Sequence, residues 1–183
     1  MLHRFLACMR ALVPVVAIAV GLIPVAGSVP PVAAQGTTKG PSGLPVPRFV
    51  SLKSDAVNVR RGPSREHEVV WRYVRAGLPV EVTQEFDNWR RIRDFEGAEG
   101  WVFHSLLTGV RTALVAPWDK SGTAMNLYAD ANETARVTAL VEPGVQAAVP
   151  ECTGSWCRLK GKTFEGWIAQ QSLWGVYPNE SFD

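Results

Sequence analysis

The sequence predicts an all-β protein made of two small tandem domains, and three observations carry that prediction. Asn58-Val59-Arg60, Gly77, Trp89 and Gly100-Trp101-Val102 recur as Asn126-Leu127-Tyr128, Gly144, Trp156 and Gly166-Trp167-Ile168, at offsets of 68, 67, 67 and 66 residues. A period this long is one folding unit used twice rather than a solenoid of stacked repeats. The apolar residues fall in short runs bounded by Gly, Pro, Asp or Asn, which is the pattern of strands. No segment after the N-terminal region demands a long helix.

The elements follow in order. Residues 1–34 read as a secretory signal peptide: Arg4 and Arg10 give a positive start, Ala11 to Gly27 is apolar, and Val32-Ala33-Ala34 places small residues before a cut after Ala34. The alternative is a retained anchor, but an apolar run of 17 residues holding Pro14 and Pro24 is short for a core of ~30 Å. The expectation is therefore a periplasmic or secreted chain with no stable membrane span after cleavage. Cys8 precedes the apolar run and leaves with the signal. Residues 35–47, rich in Gly, Thr, Ser and Pro, are predicted as a flexible tether.

Residues 48–111 form the predicted first domain, with strands at Phe49–Leu52, Ala56–Val59, Val69–Val74, Pro79–Thr83, Trp89–Arg93 and Gly100–Phe103. Residues 112–183 form the second, with strands at Thr112–Val115, Ala124–Tyr128, Arg136–Val141, Gln146–Pro150, Trp156–Lys160 and Gly166–Ala169. His104–Leu107 and Gln170–Leu173 each suit one 3₁₀ turn that tucks a leucine under the sheet. So few residues bury little area in an open sheet, which favours closure into a small barrel. Only Thr108–Arg111 link the domains, so they should abut, with Trp118 and Trp174 buried between them.

Charge narrows the partners. Without residues 1–34 the chain has 17 basic and 17 acidic residues. A net charge of zero gives no support for nucleic acid or anionic lipid as a general partner. The first domain carries 11 basic and 9 acidic residues, the second 5 and 8. Arg60-Arg61-Arg65 and Arg90-Arg91-Arg93, interspersed with Glu66, Glu68, Asp87 and Asp94, read first as solvated strand faces and second as an anionic-ligand patch.

Asn58-Val59-Arg60-Arg61-Gly62-Pro63-Ser64, the Ala76-Gly77-Leu78-Pro79-Val80-Glu81-Val82 run, Trp89 and Glu99-Gly100-Trp101-Val102 together resemble the bacterial SH3-like domain, in the variant found in exported proteins. The second domain is more diverged, keeping Asn126, Gly144, Trp156 and Gly166-Trp167 but not Gly-Pro-Ser. The resemblance implies a closed or nearly closed small barrel that binds peptide-like ligands, often cell-wall peptides, without catalysis of its own. The tyrosine cluster of proline-binding SH3 domains is absent, so polyproline specificity is not carried over.

Cys152 and Cys157 flank a turn-like Thr153-Gly154-Ser155-Trp156 and, in an exported chain, are expected as a disulfide. No further Cys or His stands near enough in sequence to complete a metal site, and the spacing is not that of thiol oxidoreductases, so no metal or other cofactor is expected. The repeat places Glu85 and Arg90 at the positions of the two cysteines, which predicts an opposite-charge pair across the first domain's hairpin. With the thiols committed and His67 and His104 both in the first domain, no Cys-His dyad can be drawn, and no phosphate-binding loop or dinucleotide fingerprint occurs.

Trp89/Trp156 and Trp101/Trp167 occupy repeated positions, as a shared core or shared structural contact would. Trp71 aligns with Thr138, so the fold does not require an aromatic there. The expected ligand groove is accordingly Trp71, Arg72, Tyr73 and Arg75 with Trp89 at its rim, an indole offering a flat apolar contact and arginine gripping a carboxylate. The competing reading is that Trp71 and Tyr73, two residues apart, point into the barrel. Function is expected to be that of a monomeric, non-enzymatic module binding a peptide, either cell-wall peptide or a segment of a protein partner. An auxiliary part in wall remodelling is the third possibility.

Overall fold

The computed structural model describes residues 38–183, so the signal peptide and residues 35–37 of the tether lie outside the described residues. A short hairpin, β1 (Thr38–Lys39) and β2 (Pro45–Val46), opens the described chain. This hairpin lies within residues 35–47, which the sequence reads as a tether. The Ser42 N–H and hydroxyl donate to the Glu85 carboxylate at 2.9 and 2.8 Å, which ties the hairpin to the first domain.

The first domain runs β3 (Arg48–Leu52), β4 (Val57–Arg60), β5 (Val69–Tyr73), β6 (Pro79–Phe86), β7 (Trp89–Arg93), β8 (Glu99–Phe103), a 3₁₀ turn at His104–Leu106 and β9 (Leu107–Thr108). The second repeats the series as β10 (Thr112–Val115), β11 (Met125–Tyr128), β12 (Val137–Val141), β13 (Gln146–Thr153), β14 (Trp156–Lys160), β15 (Glu165–Ala169), a 3₁₀ turn at Gln170–Ser172 and β16 (Leu173–Trp174). A last strand, β17 (Ser181–Phe182), pairs with β13. Among the described residues no helix is long and apolar enough to cross a membrane.

The strand orders are β5-β4-β8-β7-β6-β3-β9 and β12-β11-β15-β14-β13-β10-β16, each an open path. The expected barrel closure is therefore not made. Closure would require β5 to pair with β9, and β12 with β16, but β9 and β16 are two-residue strands whose pairing goes to β3 and β10. The sheets bend instead through register shifts, at Val59/Arg60 and Val82/Gln84 in the first domain and at Leu127/Tyr128 and Ala148/Glu151 in the second. Each bent sheet packs a core on its inner face, around Leu52, Val57, Val59, Val82, Ile92 and Val102 in one and Val115, Leu127, Val149, Cys157, Leu159 and Ile168 in the other. Alternation places these side chains inward.

The repeated glycines have repeated causes. Gly77 and Gly144 adopt φ of +74° and +79° in the turns before β6 and β13, where a side chain would be strained. A Cβ at Gly100 would overlap Val59 and crowd Trp71, and one at Gly166 would overlap Thr138 and Leu127.

The domains abut as expected. The Thr112 hydroxyl donates to the Gly77 carbonyl at 2.7 Å, Gln146 Nε2 to the Ala76 carbonyl at 3.1 Å, and Trp174 Nε1 to the Pro79 carbonyl at 3.3 Å. Trp118 departs from expectation: it is 54% exposed, because Ala116 at φ +31° opens a tight turn, closed by the Asp119 N–H on the Ala116 carbonyl, that swings the indole outward. Tyr177, not Trp118, joins Trp174 at the junction.

Candidate functional site

Strands β14 and β15 set Trp156 directly opposite Ala169, as β7 and β8 set Trp89 opposite Phe103. The two sites differ at the residue facing the tryptophan, and Tyr128 stands where the first domain has Arg60. In the first domain the Phe103 ring meets Trp89 edge-on at 5.4 Å, and the Arg65 guanidinium lies over Phe103 at 5.8 Å. Trp89 is left 9% exposed. In the second domain Ala169 leaves that volume open, and the half-buried Trp156 rests edge-on against Tyr128 at 5.7 Å.

A cavity of about 770 Å³ runs from Trp156 and Ala169 past Gln170 and Leu173 to Trp174, Tyr177 and Phe49. A second, of about 330 Å³, adjoins it and is walled by Asn126, Tyr128 and Ser172; Trp156, Ala169 and Glu133 line both. The result is a two-lobed cleft with an indole at its waist. The larger lobe is mainly apolar with a few convergent polar groups, the make-up of a ligand cleft.

The far wall is built at the domain junction. Phe49 packs against Trp174 and Tyr177 at 5.1 and 4.7 Å between ring centroids. The Tyr177 hydroxyl donates to Glu81 at 2.9 Å, and the same carboxylate accepts from Arg93 Nε at 2.9 Å. Burial and the Glu81 charge push the Tyr177 hydroxyl well above the ordinary phenol range, so it stays a donor. Behind it, Arg111 grips Glu180 through its two terminal guanidinium nitrogens at 2.7 and 2.9 Å and lies over the Phe182 ring at 4.6 Å. Burial opposes ionisation of Glu180, but Arg111 and the Tyr177 N–H outweigh it and hold the carboxyl below the usual glutamate range. The chain from Gly175 to Asn179 is thereby fixed as one rim of the cleft.

The opposite-charge pair predicted for the first hairpin is present, with Glu85 facing Arg90 in register and Arg90 Nε 3.0 Å from the carboxylate. It is buried rather than exposed, and Arg48 adds a second ion pair at 2.8 Å. Cys152 and Cys157 face one another at the equivalent place and form the expected disulfide, with Cα atoms 4.1 Å apart.

The ligand residues predicted on the first domain do not converge. Trp71 and Tyr73 share the inner face of β5, edge-on at 6.2 Å and packed against the core, and the Tyr73 hydroxyl donates to Asp94 at 2.8 Å. Arg72, between them, projects from the opposite face and is exposed, as is Arg75. Trp89 is buried behind Phe103 and forms no rim. Trp101 and Trp167 are not core residues either: they stand on the outer face beside the Arg91–Glu99 and Arg158–Glu165 ion pairs. Trp156, Ala169, Trp174 and Tyr177 line the cleft. Its one sequence signal is the loss of the Phe103 ring at Ala169, visible only once β8 and β15 are aligned.

No curated protein matches the chain. Among solved structures, NlpC2 from Trichomonas vaginalis is similar over 70% of this chain and 48% of its own, at 12% identity and a TM-score of 0.31. NlpC1 from the same organism is similar over 70% and 45%, at 13% identity and a TM-score of 0.31. The chain thus spans a little under half the length of these two proteins. The bacterial SH3 domain matches twice, at residues 53–109 and 121–175, which takes in most strands of both repeated sheets, though not β3 or β10, and more than half of the chain. This chain belongs to the bacterial SH3 domain family and carries two copies of that domain in tandem.

Proposed function

We propose that the chain is an exported, non-catalytic tandem module that binds peptides of the cell envelope, foremost cell-wall peptide, in the cleft of its second domain. The observation that carries the reading is the open volume beside Trp156, held apart by Ala169 where the first domain has Phe103. An indole waist flanked by two lobes offers flat apolar contact on either side, a suitable surface for an extended peptide. The first domain, with its equivalent volume filled, acts as scaffold and supplies Phe49 and Glu81 to the far wall.

The non-catalytic assignment is supported by the thiols being joined to each other, and by His67 and His104 lying on the first domain, outside the residues that line the cleft. A second reading, capture of a protein segment, has its own support. The edge strand β5 exposes Val69 and Val70, and an edge of this kind can accept an added strand.

Pelleting with purified peptidoglycan tests the first reading. The chain is expected to sediment with the wall material, and Ala169→Phe to remain in the supernatant with an unchanged far-UV spectrum. Equal sedimentation of both would remove the cleft from the function.

A further inference from the structure

We infer that the cleft selects a ligand carrying a primary ammonium group, seated between the face of Trp156 and the carboxylate of Glu133. This inference rests on the peptide-binding reading and concerns the chemistry of the ligand. Three charged side chains line the two lobes: Glu81, Arg93 and Glu133. Glu81 and Arg93 are paired with one another, and Glu81 also accepts the Tyr177 hydroxyl, so the two add no net charge. Glu133 has no ion-pair partner among the described residues, and it borders both lobes together with Trp156. The cleft therefore presents one uncompensated negative charge beside an indole, and an indole attracts a cation over its face. The surrounding domain, with 5 basic and 8 acidic residues, adds a field of the same sign. The arginines of the first domain made a carboxylate-bearing ligand the expectation; the charge lining the cleft reverses it.

The test follows the Trp156 indole N–H in two-dimensional NMR spectra of the chain while a capped Ala-Ala-Lys-Ala peptide is added, then the same peptide with its lysine ε-acetylated. The lysine peptide is expected to bind roughly fivefold more tightly than the acetylated one, the factor that about 1 kcal/mol of ion pairing supplies. The preference should shrink as salt is raised. Glu133→Gln should abolish the preference, and an unchanged far-UV spectrum with unshifted indole N–H signals outside the cleft shows that the variant is folded. Equal affinity for the two peptides, or a preference that survives in Glu133→Gln, overturns the inference.

Pelleting with native and amine-acetylated peptidoglycan separates this inference from the reading it rests on. Wall binding that is indifferent to acetylation overturns the ammonium preference and keeps the wall reading. Lysine-peptide selectivity through Glu133 with no sedimentation on either wall supports the ammonium site and overturns the wall as its source.

Discussion

The two domains share one chain trace and solve the same two local problems differently. At the long hairpin the first uses a buried carboxylate between two arginines, Glu85 with Arg48 and Arg90, where the second uses the Cys152–Cys157 disulfide. Beside the repeated tryptophan the first keeps a phenylalanine and the second an alanine. The first difference concerns stability alone. The covalent link closes the second hairpin, whose end also pairs with β17 at Cys152 and Thr153, whereas the ionic one recruits the β1–β2 hairpin through Ser42. The second difference concerns the cleft: Phe103 packs on its tryptophan where Ala169 leaves open volume. On the function proposed above, a duplicated fold diverges into a scaffold and a binding domain by changing side chains at matched positions.

The largest effect is expected from the ionic hairpin. Glu85→Ala would leave Arg48 and Arg90 facing each other around a buried site without their anion, which costs about 3–5 kcal/mol. Denaturant unfolding should report the loss, and hydrogen exchange should place it in β6, β7 and the β1–β2 hairpin. A loss within the ~1 kcal/mol of an exposed pair would make the network ornamental.

Reduction of the disulfide comes next. Closing so short a loop is worth about 2 kcal/mol on the chain-entropy estimate. Exchange should quicken in β13, β14 and β17, while β6 and β7 keep their protection. Equal quickening in both domains would show that the junction couples them more tightly than the hairpins separate them.

The cavity difference can be exchanged between the domains. Ala169→Phe should close the cleft and lower peptide affinity at least tenfold, about 1.4 kcal/mol, with little change in stability. Phe103→Ala should expose Trp89, red-shift its fluorescence and lower stability by about 1–2 kcal/mol, since the ring is only partly buried. Retention of full affinity in Ala169→Phe would show that the ligand does not use this volume.

Much of the fold was legible because strands announce themselves locally, through alternation and through glycine at turns such as Gly77 and Gly144. What escaped the sequence depends on distant partners. Strand β6 runs to Phe86 although the strand read from the sequence stops at Thr83, because Arg90, Arg48 and Ser42 satisfy the buried Glu85 from three separate segments. The Gly-, Ser- and Pro-rich stretch before β3 reads as a tether for the same reason: its order comes from a carboxylate 43 residues away. The site was hidden more deeply. A cavity is a missing side chain, and Ala169 draws notice only beside Phe103, whereas Trp71 stands out as an aromatic and turns out to pack on Gly100. Composition points to large residues, and this cleft is made by a small one.

The smallest effect expected is that of acid, and it bears on the two hairpins in opposite ways. Burial of Glu85 opposes its ionisation, but the Ser42 N–H and hydroxyl, Arg48 and Arg90 outweigh burial and hold the carboxyl below the ordinary glutamate range. A carboxyl depressed in the folded state contributes stability that is complete above its unfolded value and lost as pH falls through the folded one. The first hairpin should therefore keep this stability at neutral and mildly acidic pH and loosen only as pH falls below the ordinary glutamate range. Glu180, depressed by Arg111, behaves alike, so the C-terminal rim should loosen over the same range. The disulfide does not titrate, and protection at the closed end of β13 and β14 should be flat with pH. Exchange measured from pH 7 down to about 3.5, corrected for the intrinsic rate, would check this, and Glu85→Gln should remove the acid dependence of β6 and β7 alone. A first hairpin as indifferent to acid as the second would mean that the Glu85 network does not hold it.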